Sequence, residues 1–181
     1  MVMRKRLPLF AGLIAVAAML PATTLERLSL DEMAAKSTAI VRGRVVSSRP
    51  EFRGPVIYTH FTIQVLERWK GAEAARVEVA VPGGAALGQQ QTFAGAPELA
   101  PGGEYVLFLW TGKSGMTHLI GLSQGVFSLK SDGKGGMVAA RSASSEAMLD
   151  TRTGRIVNDV SVRVGLGELR SRVAAALSRG E

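Results

Sequence analysis

Residues 56–69 have the sequence VIYTHFTIQVLERW, in which apolar and polar side chains alternate over most of the length. One set is apolar: Ile57, Phe61, Ile63 and Val65. The other set is polar or aromatic: Tyr58, His60, Thr62 and Gln64. A period of two predicts a β-strand with one buried face, because successive side chains of a strand point to opposite sides. The predicted strand is long, so we expect it to bend or coil.

Shorter runs of the same kind lie on both sides of this strand. Valines alternate with polar or small residues in 39–45 and again in 77–81. Residues 105–110 (YVLFLW) are apolar on both faces, which predicts a strand buried on both sides. Three more short strands are predicted at 116–121, 125–130 and 136–141, with a hairpin turn at Asp132-Gly133 between the last two.

Turn-forming residues separate the strands. Residues 49–55 (RPEFRGP) predict a turn-rich connection, because proline and glycine interrupt regular structure. Residues 83–103 are rich in glycine, alanine, glutamine and proline, and a loop of that length is either functional or partly disordered. Residues 142–164 are polar and weakly patterned, so no element is predicted there.

A helix is predicted near each end of the mature chain. Ser29 and Glu32 have the spacing of a capping box, which predicts a short helix over 29–36. An apolar stripe with helical spacing predicts a second helix at about 165–178. The sequence therefore predicts a mainly β fold with short N-terminal and C-terminal α-helices. The expected architecture is a small OB-like β-barrel, with a β-sandwich as the alternative.

The first residues have the pattern of an export leader. Arg4-Lys5-Arg6 precede a short apolar run over residues 7–20, and Ala22 offers a small residue for cleavage. We predict a signal peptide over 1–22 and a single domain over 23–181. The alternative is an uncleaved N-terminal anchor. The expected location is the periplasm or the cell exterior, with no membrane span once the leader is removed.

The charge and the cysteine content limit which ligands and reactions are possible for the predicted mature chain. The whole chain has 22 basic and 15 acidic residues, and removal of the three basic leader residues leaves 19 against 15, a charge of +4. Such a charge favours weak, salt-sensitive attraction to anionic surfaces without selecting a ligand. The chain has no cysteine, which excludes disulfides, thiolate catalysis, Cys-ligated zinc and a lipidated cysteine.

Residues 121–125 (GLSQG) match the G-x-S-x-G pattern of the nucleophile elbow of α/β-hydrolases. The elbow requires a helix after its serine, but residues 126–129 alternate as a strand does. The triad order also requires a histidine after the serine, whereas His60 and His118 both precede Ser123. We therefore interpret this match as a connection between strands.

Other matches fail on the same kind of test. Residues 131–134 (SDGK) match S-x-x-K, but Asp-Gly predicts an exposed turn in which the lysine is solvated. Residues 83–89 resemble the start of a P-loop, but Gln89 and Gln90 replace its lysine and hydroxyl. The only two histidines are far apart in sequence, with no metal-ligand spacing around them. No cofactor and no metal are predicted.

Several segments of this chain, and their order, also resemble those of a known group of proteins. The similar segments are residues 39–45, Ile57-Tyr58-Thr59, Trp69-Lys70-Gly71, Pro82-Gly83-Gly84 and 101–109. They resemble a family of uncharacterised exported bacterial β-rich proteins. More loosely, they are similar to the netrin/tissue-inhibitor-of-metalloproteinase class of OB barrels. That class binds its protease through an N-terminal cysteine that this chain lacks, and no catalytic residue carries over.

Three functions remain open from the sequence. The first is a non-enzymatic binding module that contacts an unknown protein or envelope component through 83–103 and 49–55. The second is an accessory or inhibitor of a secreted hydrolase, which the resemblance implies. The third is an enzyme with an unrecognised site, using Glu67, His60 or Glu104 as acid or base. No nucleic-acid partner is expected, because the chain is predicted to be exported. The candidate contact residues are Arg42, Arg44, Phe52, Tyr58, His60, Gln89, Gln90 and Phe93.

Overall fold

A computed structural model of the protein describes residues 24–180, so the predicted leader lies outside the described part. The strands are β1 (Leu25–Glu26), β2 (Ala39–Arg53), β3 (Val56–Lys70), β4 (Arg76–Pro82), β5 (Gly84–Ala86), β6 (Gln89–Gln91), β7 (Glu104–Thr111), β8 (Thr117–Leu119), β9 (Val126–Ser131), β10 (Met137–Arg141), β11 (Met148–Asp150), β12 (Arg155–Val157) and β13 (Val162–Gly165). The helices are α1 (Leu30–Lys36) and α2 (Leu166–Ser178), and a 3₁₀ turn spans Leu122–Gly125.

Both helices lie where the sequence predicts them. The Ser29 Oγ accepts a hydrogen bond from the Glu32 backbone N–H at 3.2 Å, and the Glu32 carboxylate accepts one from the Ser29 backbone N–H at 2.8 Å. This reciprocal capping box satisfies two donors at the start of α1. Met33 and Ala34 then turn inward and are buried, so α1 is held by its packing as well as by its cap.

The strand predicted at 56–69 is β3, and it forms a hairpin with an equally long β2. The prediction of a turn-rich connection over 49–55 is wrong, because the β2–β3 ladder continues as far as the pair Arg53 and Val56. Only Gly54 and Pro55 form the turn, with Gly54 in the left-handed region at φ +60°. Pro50 is tolerated within β2 because β7 pairs only with residues 39–44, which leaves the distal half of β2 as an edge.

Eight antiparallel strands form the main sheet. Their order is β13-β10-β9-β7-β2-β3-β4, and β8 pairs with the distal half of β7. The β2–β3 register shifts at three places between Ile40 and Ser47, and such bulges bend a sheet strongly. The bend brings β8 towards β4, where His118 Nδ1 lies 3.2 Å from the Ala80 carbonyl oxygen.

The mainly β class with two terminal helices is confirmed. Among residues 24–180 the sheets are not closed into a barrel, because no ladder joins β4 to β8 or to β13. The preferred OB-like barrel is therefore not formed, and the sandwich-like alternative describes the open sheet better. Two small sheets complete the fold: β1-β11-β12 and the hairpin β5-β6.

Strand β7 separates two hydrophobic cores. Val106 and Phe108 face the first core, which lies under the helices, while Leu107 and Leu109 face the second core, inside the bend of the sheet. The first core also contains Met33, Ile40, Phe127, Leu129, Ala139, Leu169 and Val173. The second also contains Val41, Val45, Phe61, Ile63, Val79, Val81 and Leu119. Burial of each large apolar side chain contributes about 1.5–3 kcal/mol.

The prediction that residues 105–110 are buried on both faces is confirmed for Tyr105 to Leu109 and wrong for Trp110, which is 47% exposed. Trp110 pairs with His118 of β8, near the C-terminal end of β7. The segments predicted as irregular also contain short strands. Residues 83–103 contain the β5–β6 hairpin over 84–91, and β11, β12 and β13 lie within 142–164 or reach beyond it by one residue. Among residues 24–180, no helix is both long and apolar enough to cross a membrane.

Gly43 allows β2 to lie between its two neighbouring strands. A Cβ at this position would lie 2.8 Å from the Gln64 carbonyl oxygen and would also overlap the Ile63 side chain. We expect Gly43→Ala to lower the free energy of unfolding by about 1–3 kcal/mol through overpacking. Gly167→Ala is the control, because a Cβ there meets open space. It should leave stability unchanged or raise it by up to about 1 kcal/mol. Equal urea-unfolding midpoints for the two variants would contradict this account.

Candidate functional site

The structure places the eight predicted contact residues in three separate regions. Arg42 and Arg44 lie beside Glu104 of β7, at 2.6 Å and 3.4 Å respectively. Arg42 also lies 4.0 Å from Glu67, which is bound by Arg170 of α2 at 2.8 Å. These ion pairs engage both predicted arginines within the chain and connect α2 to the sheet. Two of the three groups predicted as candidate acids or bases, Glu67 and Glu104, belong to this ion-pair network.

Tyr58 and His60 lie on the outer face of β3, in a cluster that the sequence did not predict. His60 is only 9% exposed, rather than solvated, and its Nδ1 is 2.9 Å from a carboxylate oxygen of Glu78. The His118 ring lies between Tyr58 and Trp110, with ring centroids 6.0 Å and 6.2 Å away. Sequence reasoning missed His118 and Trp110 because only the pairing of β7 with β8 brings them here.

Glu78 is held ionised by this cluster. Burial raises its pKa, but hydrogen bonds from His60 and Arg49 outweigh the burial and hold the pKa below its usual value. Arg49 contacts Glu78 at 3.1 Å from strand β2, on the far side of β3. Glu78 is therefore paired within the chain rather than free on this outer face.

Gln90 and Phe93 line a groove of about 610 Å³, which we name the hairpin groove, and Gln89 precedes them on β6, outside the lining. Phe61, Val81 and Leu99 reach it from the second core. Its walls carry amide and hydroxyl side chains from Ser48, Thr59, Gln90, Gln91 and Thr92. Glu98 is the single charged residue among those that line it. Phe52 lies nearby in the ladder, opposite Ile57 at the end of the β2–β3 hairpin.

Gln91 fixes the hairpin beside this groove. Its side-chain oxygen accepts a hydrogen bond from the Ile57 backbone N–H, and its side-chain nitrogen donates one to the Pro55 carbonyl, both at 2.8 Å. The Thr59 hydroxyl also donates to the Gly83 carbonyl at 2.7 Å. The segment predicted as a long loop is thus tied to β3 by side chains. The hydrophobic periodicity of the sequence gave no indication of these hydrogen bonds.

Leu87 at the tip of the β5–β6 hairpin was not predicted as a site residue. It is 91% exposed and has φ +49°, a left-handed conformation that leucine rarely adopts. Phe93, on the same loop, is 36% exposed. The sequence offered one signal that could have found Leu87: a lone leucine between Ala86 and Gly88 in a segment otherwise poor in large apolar residues.

A second groove, of about 560 Å³, lies among α1, α2, β13 and the β11–β12 hairpin. We name it the arginine groove, because Arg27, Arg141, Arg152 and Arg172 line it together with apolar side chains. Several of its residues come from 142–164, where the sequence predicted no element. None of its residues was among the predicted contacts.

A buried ion pair lies at one side of the arginine groove. The Arg141 guanidinium contacts both carboxylate oxygens of Asp159, at 2.7 Å and 3.0 Å, and the two side chains are 10% and 2% exposed. Burial raises the pKa of Asp159, but hydrogen bonds from Arg141 and from the backbone N–H groups of Ser144 and Val160 outweigh it and hold the pKa below its usual value. The Arg141 Nε is buried and has no hydrogen-bond partner among the described residues.

The G-x-S-x-G segment forms a 3₁₀ turn followed by strand β9, so the predicted connection between strands is confirmed. Ser123 Oγ is buried and contacts no hydrogen-bond partner among the described residues. The neighbouring Gln124 is 2% exposed and holds the N-terminal segment by bonds to the backbone of Leu28 at 2.9 Å and Glu26 at 2.8 Å. Within residues 24–180, no three acidic or histidine side chains are grouped closely enough to hold a metal ion.

We expect Asp159→Asn to lower the free energy of unfolding by about 3–5 kcal/mol, because it leaves the Arg141 charge buried without its counter-ion. Asp31→Asn is the control, since its bridge to Arg179 at 2.9 Å is on the surface, with side chains 59% and 61% exposed. Loss of that bridge should cost about 1 kcal/mol or less. Urea unfolding at neutral pH measures both variants, and similar losses would contradict the assignment of a buried pair.

The same pair predicts a dependence of stability on pH. The folded pKa of Asp159 is lowered, so its contribution is complete above the ordinary aspartate value of about 3.9 and is lost as the pH falls through the folded pKa. The stability difference between the wild type and Asp159→Asn should therefore be largest near pH 7 and shrink below about pH 4. A difference that stays constant between pH 7 and pH 2 would show that Asp159 does not act through its charge.

No protein-family model, no curated protein sequence and no solved structure matches this chain. The resemblance to the netrin/tissue-inhibitor-of-metalloproteinase class therefore stays a prediction, as does hydrolase inhibition. The function has to be argued from the grooves and from the side chains that line them.

Proposed function

We propose that the protein is an exported, non-enzymatic binding module that holds an extended, uncharged segment of a partner polypeptide in the hairpin groove. The observation that carries this proposal is the tip of the β5–β6 hairpin, next to the groove: Gly84, Gln90 and Gln91 of the hairpin line the groove, and Leu87 lies just outside the lining. There Leu87 is 91% exposed while its backbone is held at φ +49°. Export is supported by the basic and apolar pattern of residues 1–22.

The free protein gains little from a leucine at this position. A left-handed conformation costs about 1–2 kcal/mol for a residue with a side chain, and glycine or asparagine adopts it more easily. The exposed side chain buries no apolar surface within the chain, whereas complete burial against a partner would contribute about 1.5–3 kcal/mol. A strained, exposed apolar residue is therefore explained by contact with another molecule.

The chemistry of the groove favours an uncharged ligand. Glu98 is the only charged residue that lines it, while its walls present amides and hydroxyls around an apolar floor. Such a lining suits backbone amide groups combined with an apolar side chain. A peptide backbone satisfies this pattern when it lies extended across the floor.

The hairpin also offers a strand edge. β5 and β6 form a two-stranded sheet among the described residues, so the outer edge of β6 is not paired with another strand. A partner segment in extended conformation can add to such an edge through main-chain hydrogen bonds. Gln91 and Thr59 already fix the hairpin on β3, so little conformational entropy is lost when a ligand binds.

The test uses a displayed library of random linear peptides, selected against the immobilised protein. We expect enrichment of uncharged peptides that contain an apolar residue. Leu87→Asn should weaken binding of the selected peptides at least about tenfold, which corresponds to about 1.4 kcal/mol. Its melting temperature should be unchanged or higher, because asparagine adopts the left-handed conformation more readily.

Ile156→Asn is the matched control. Ile156 is 61% exposed on β12, which belongs to a different sheet from the β5–β6 hairpin. This variant should bind the selected peptides as the wild type does. Failure to enrich any peptide, or equal weakening by Leu87→Asn and Ile156→Asn, would contradict the proposed function.

A further inference from the structure

We propose that the arginine groove is a second binding site, which takes a single-chain amphiphile whose zwitterionic headgroup carries a phosphate and an ammonium group. This inference goes beyond the proposed function and rests on different residues. It depends on two features of the groove. One is an apolar floor, and the other is a rim on which two arginines and two carboxylates are charged without forming ion pairs.

The floor of the arginine groove is apolar. It is formed by Leu28, Leu30, Met33, Phe127, Val162 and Val164. Leu28, Leu30 and Val162 pack against the first core but are only partly buried, so they present apolar surface to the groove. A concave volume of about 560 Å³ is within the ordinary range of small-molecule sites, which run from about 300 to 1,000 Å³. Alkyl chains bind such a floor through the hydrophobic effect.

Two arginines of the lining are paired within the chain. Arg141 contacts Asp159 at 2.7 Å, as described above, and Arg172 contacts Glu168 one turn away on α2. The charged residues of the lining that remain are Arg27, Glu32, Asp150 and Arg152. Within residues 24–180, none of these four forms an ion pair.

The four remaining groups place both signs of charge on each of two segments. Arg27 lies just before α1, and Glu32 lies in the first turn of that helix. Asp150 ends β11, and Arg152 lies in the turn that follows it. The rim therefore carries no excess of either sign, although each of its four groups lacks a counter-ion in contact with it.

Both carboxylates of the rim keep their negative charge. The backbone N–H and the hydroxyl of Ser29 donate to Glu32 at 2.8 Å and 2.7 Å. These two bonds, together with the charges of Lys36 and Arg152, outweigh burial and hold the pKa of Glu32 below its usual value. Asp150 Oδ1 accepts a hydrogen bond from the backbone N–H of Arg152 at 3.0 Å. The hydrogen bonds to both carboxylates come from neutral donors, so they do not cancel the charge.

A zwitterionic headgroup matches this rim better than any headgroup of one sign. An anionic headgroup meets two arginines but also two carboxylates, and for a cationic headgroup the attraction and repulsion are exchanged. An uncharged headgroup displaces water from four ions and offers none of them a counter-charge, which costs free energy. A phosphate and an ammonium group together offer each sign its partner. Guanidinium groups bind phosphate oxygens through parallel N–H donors, which leaves the ammonium group to the carboxylates.

The probe is dodecylphosphocholine, titrated calorimetrically into the purified protein below its micellar concentration. We expect saturable binding of one molecule per chain. Three amphiphiles with the same alkyl chain serve as comparisons: dodecyl phosphate is anionic, dodecyltrimethylammonium is cationic and dodecyl maltoside is uncharged. Each should bind at least about tenfold more weakly, which corresponds to about 1.4 kcal/mol. Glycerophosphocholine, which has the headgroup without the alkyl chain, should also bind at least about tenfold more weakly.

Two double variants test the two signs of charge separately. Arg27→Gln/Arg152→Gln should weaken dodecylphosphocholine binding at least about tenfold and abolish its preference over dodecyltrimethylammonium. Glu32→Gln/Asp150→Asn should weaken it by a similar factor and abolish its preference over dodecyl phosphate. Glutamine at 32 keeps an acceptor for the cap of α1, and asparagine at 150 keeps one for the turn. A general loss of stability would lower the affinity for every amphiphile and would not change each preference selectively.

Each double variant has a matched control with the same change of net charge. Arg155→Gln/Arg163→Gln removes two arginines that are exposed on β12 and β13, outside the groove lining. Glu73→Gln/Glu98→Gln removes two exposed carboxylates, also outside the lining. Both controls should bind dodecylphosphocholine with the affinity and the preferences of the wild type.

The inference would be overturned by an absence of saturable binding or by a comparison amphiphile that binds as tightly as dodecylphosphocholine. It would also be overturned if the control variants weakened binding as much as the groove variants, or if the groove variants left the preferences unchanged. Sedimentation with phosphatidylcholine vesicles separates a free amphiphile from a membrane surface, and binding to vesicles without binding to dodecylphosphocholine would reject the site. Leu87→Asn should leave dodecylphosphocholine binding unchanged, so failure here and failure of the hairpin groove are distinguishable.

Discussion

Leu107 and Phe108 are neighbours in β7, yet their side chains are buried in cores on opposite sides of one sheet. The whole architecture depends on this double burial. One core needs the bend of β2 and β3 to enclose it, and the other needs α1 and α2 as a cover. A strand with two apolar faces is stable only when both covers are present, so helices, bulges and sheet order are coupled through β7. The arginine groove lies beside α1 and α2, and the hairpin groove lies beside the distal parts of β2 and β3.

Two glutamines hold irregular segments in place around the grooves. Gln91 binds the backbone of residues 55 and 57 and fixes the β5–β6 hairpin. Gln124 binds the backbone of residues 26 and 28 and fixes the N-terminal segment beside the arginine groove. An amide carries both a donor and an acceptor, so one side chain replaces two hydrogen bonds of a missing strand. Both grooves therefore have walls that are ordered without being part of the main sheet.

Several charged side chains of the main sheet form ion pairs with one another. Arg42 and Arg44 bind Glu104, and His60 and Arg49 bind Glu78, so the charged residues that the sequence suggested as contacts are engaged within the chain.

The sequence alone determined most strands of the main sheet, though not β13 or the distal half of β2. It also determined the capped helix at 29–36, the C-terminal helix and the burial of Tyr105 to Leu109, because these depend on local periodicity and capping. It placed Gln89, Gln90 and Phe93 on one loop, but it could not place Leu87 at a strained tip or bring His118 to Tyr58. Only the tertiary structure decided that the sheet stays open, that β2 continues past Pro50, and that Arg27 and Arg152 line one groove. The bond between Leu28 and Gln124 joins residues 96 positions apart, and pairing at such distance leaves no periodic trace in the chain.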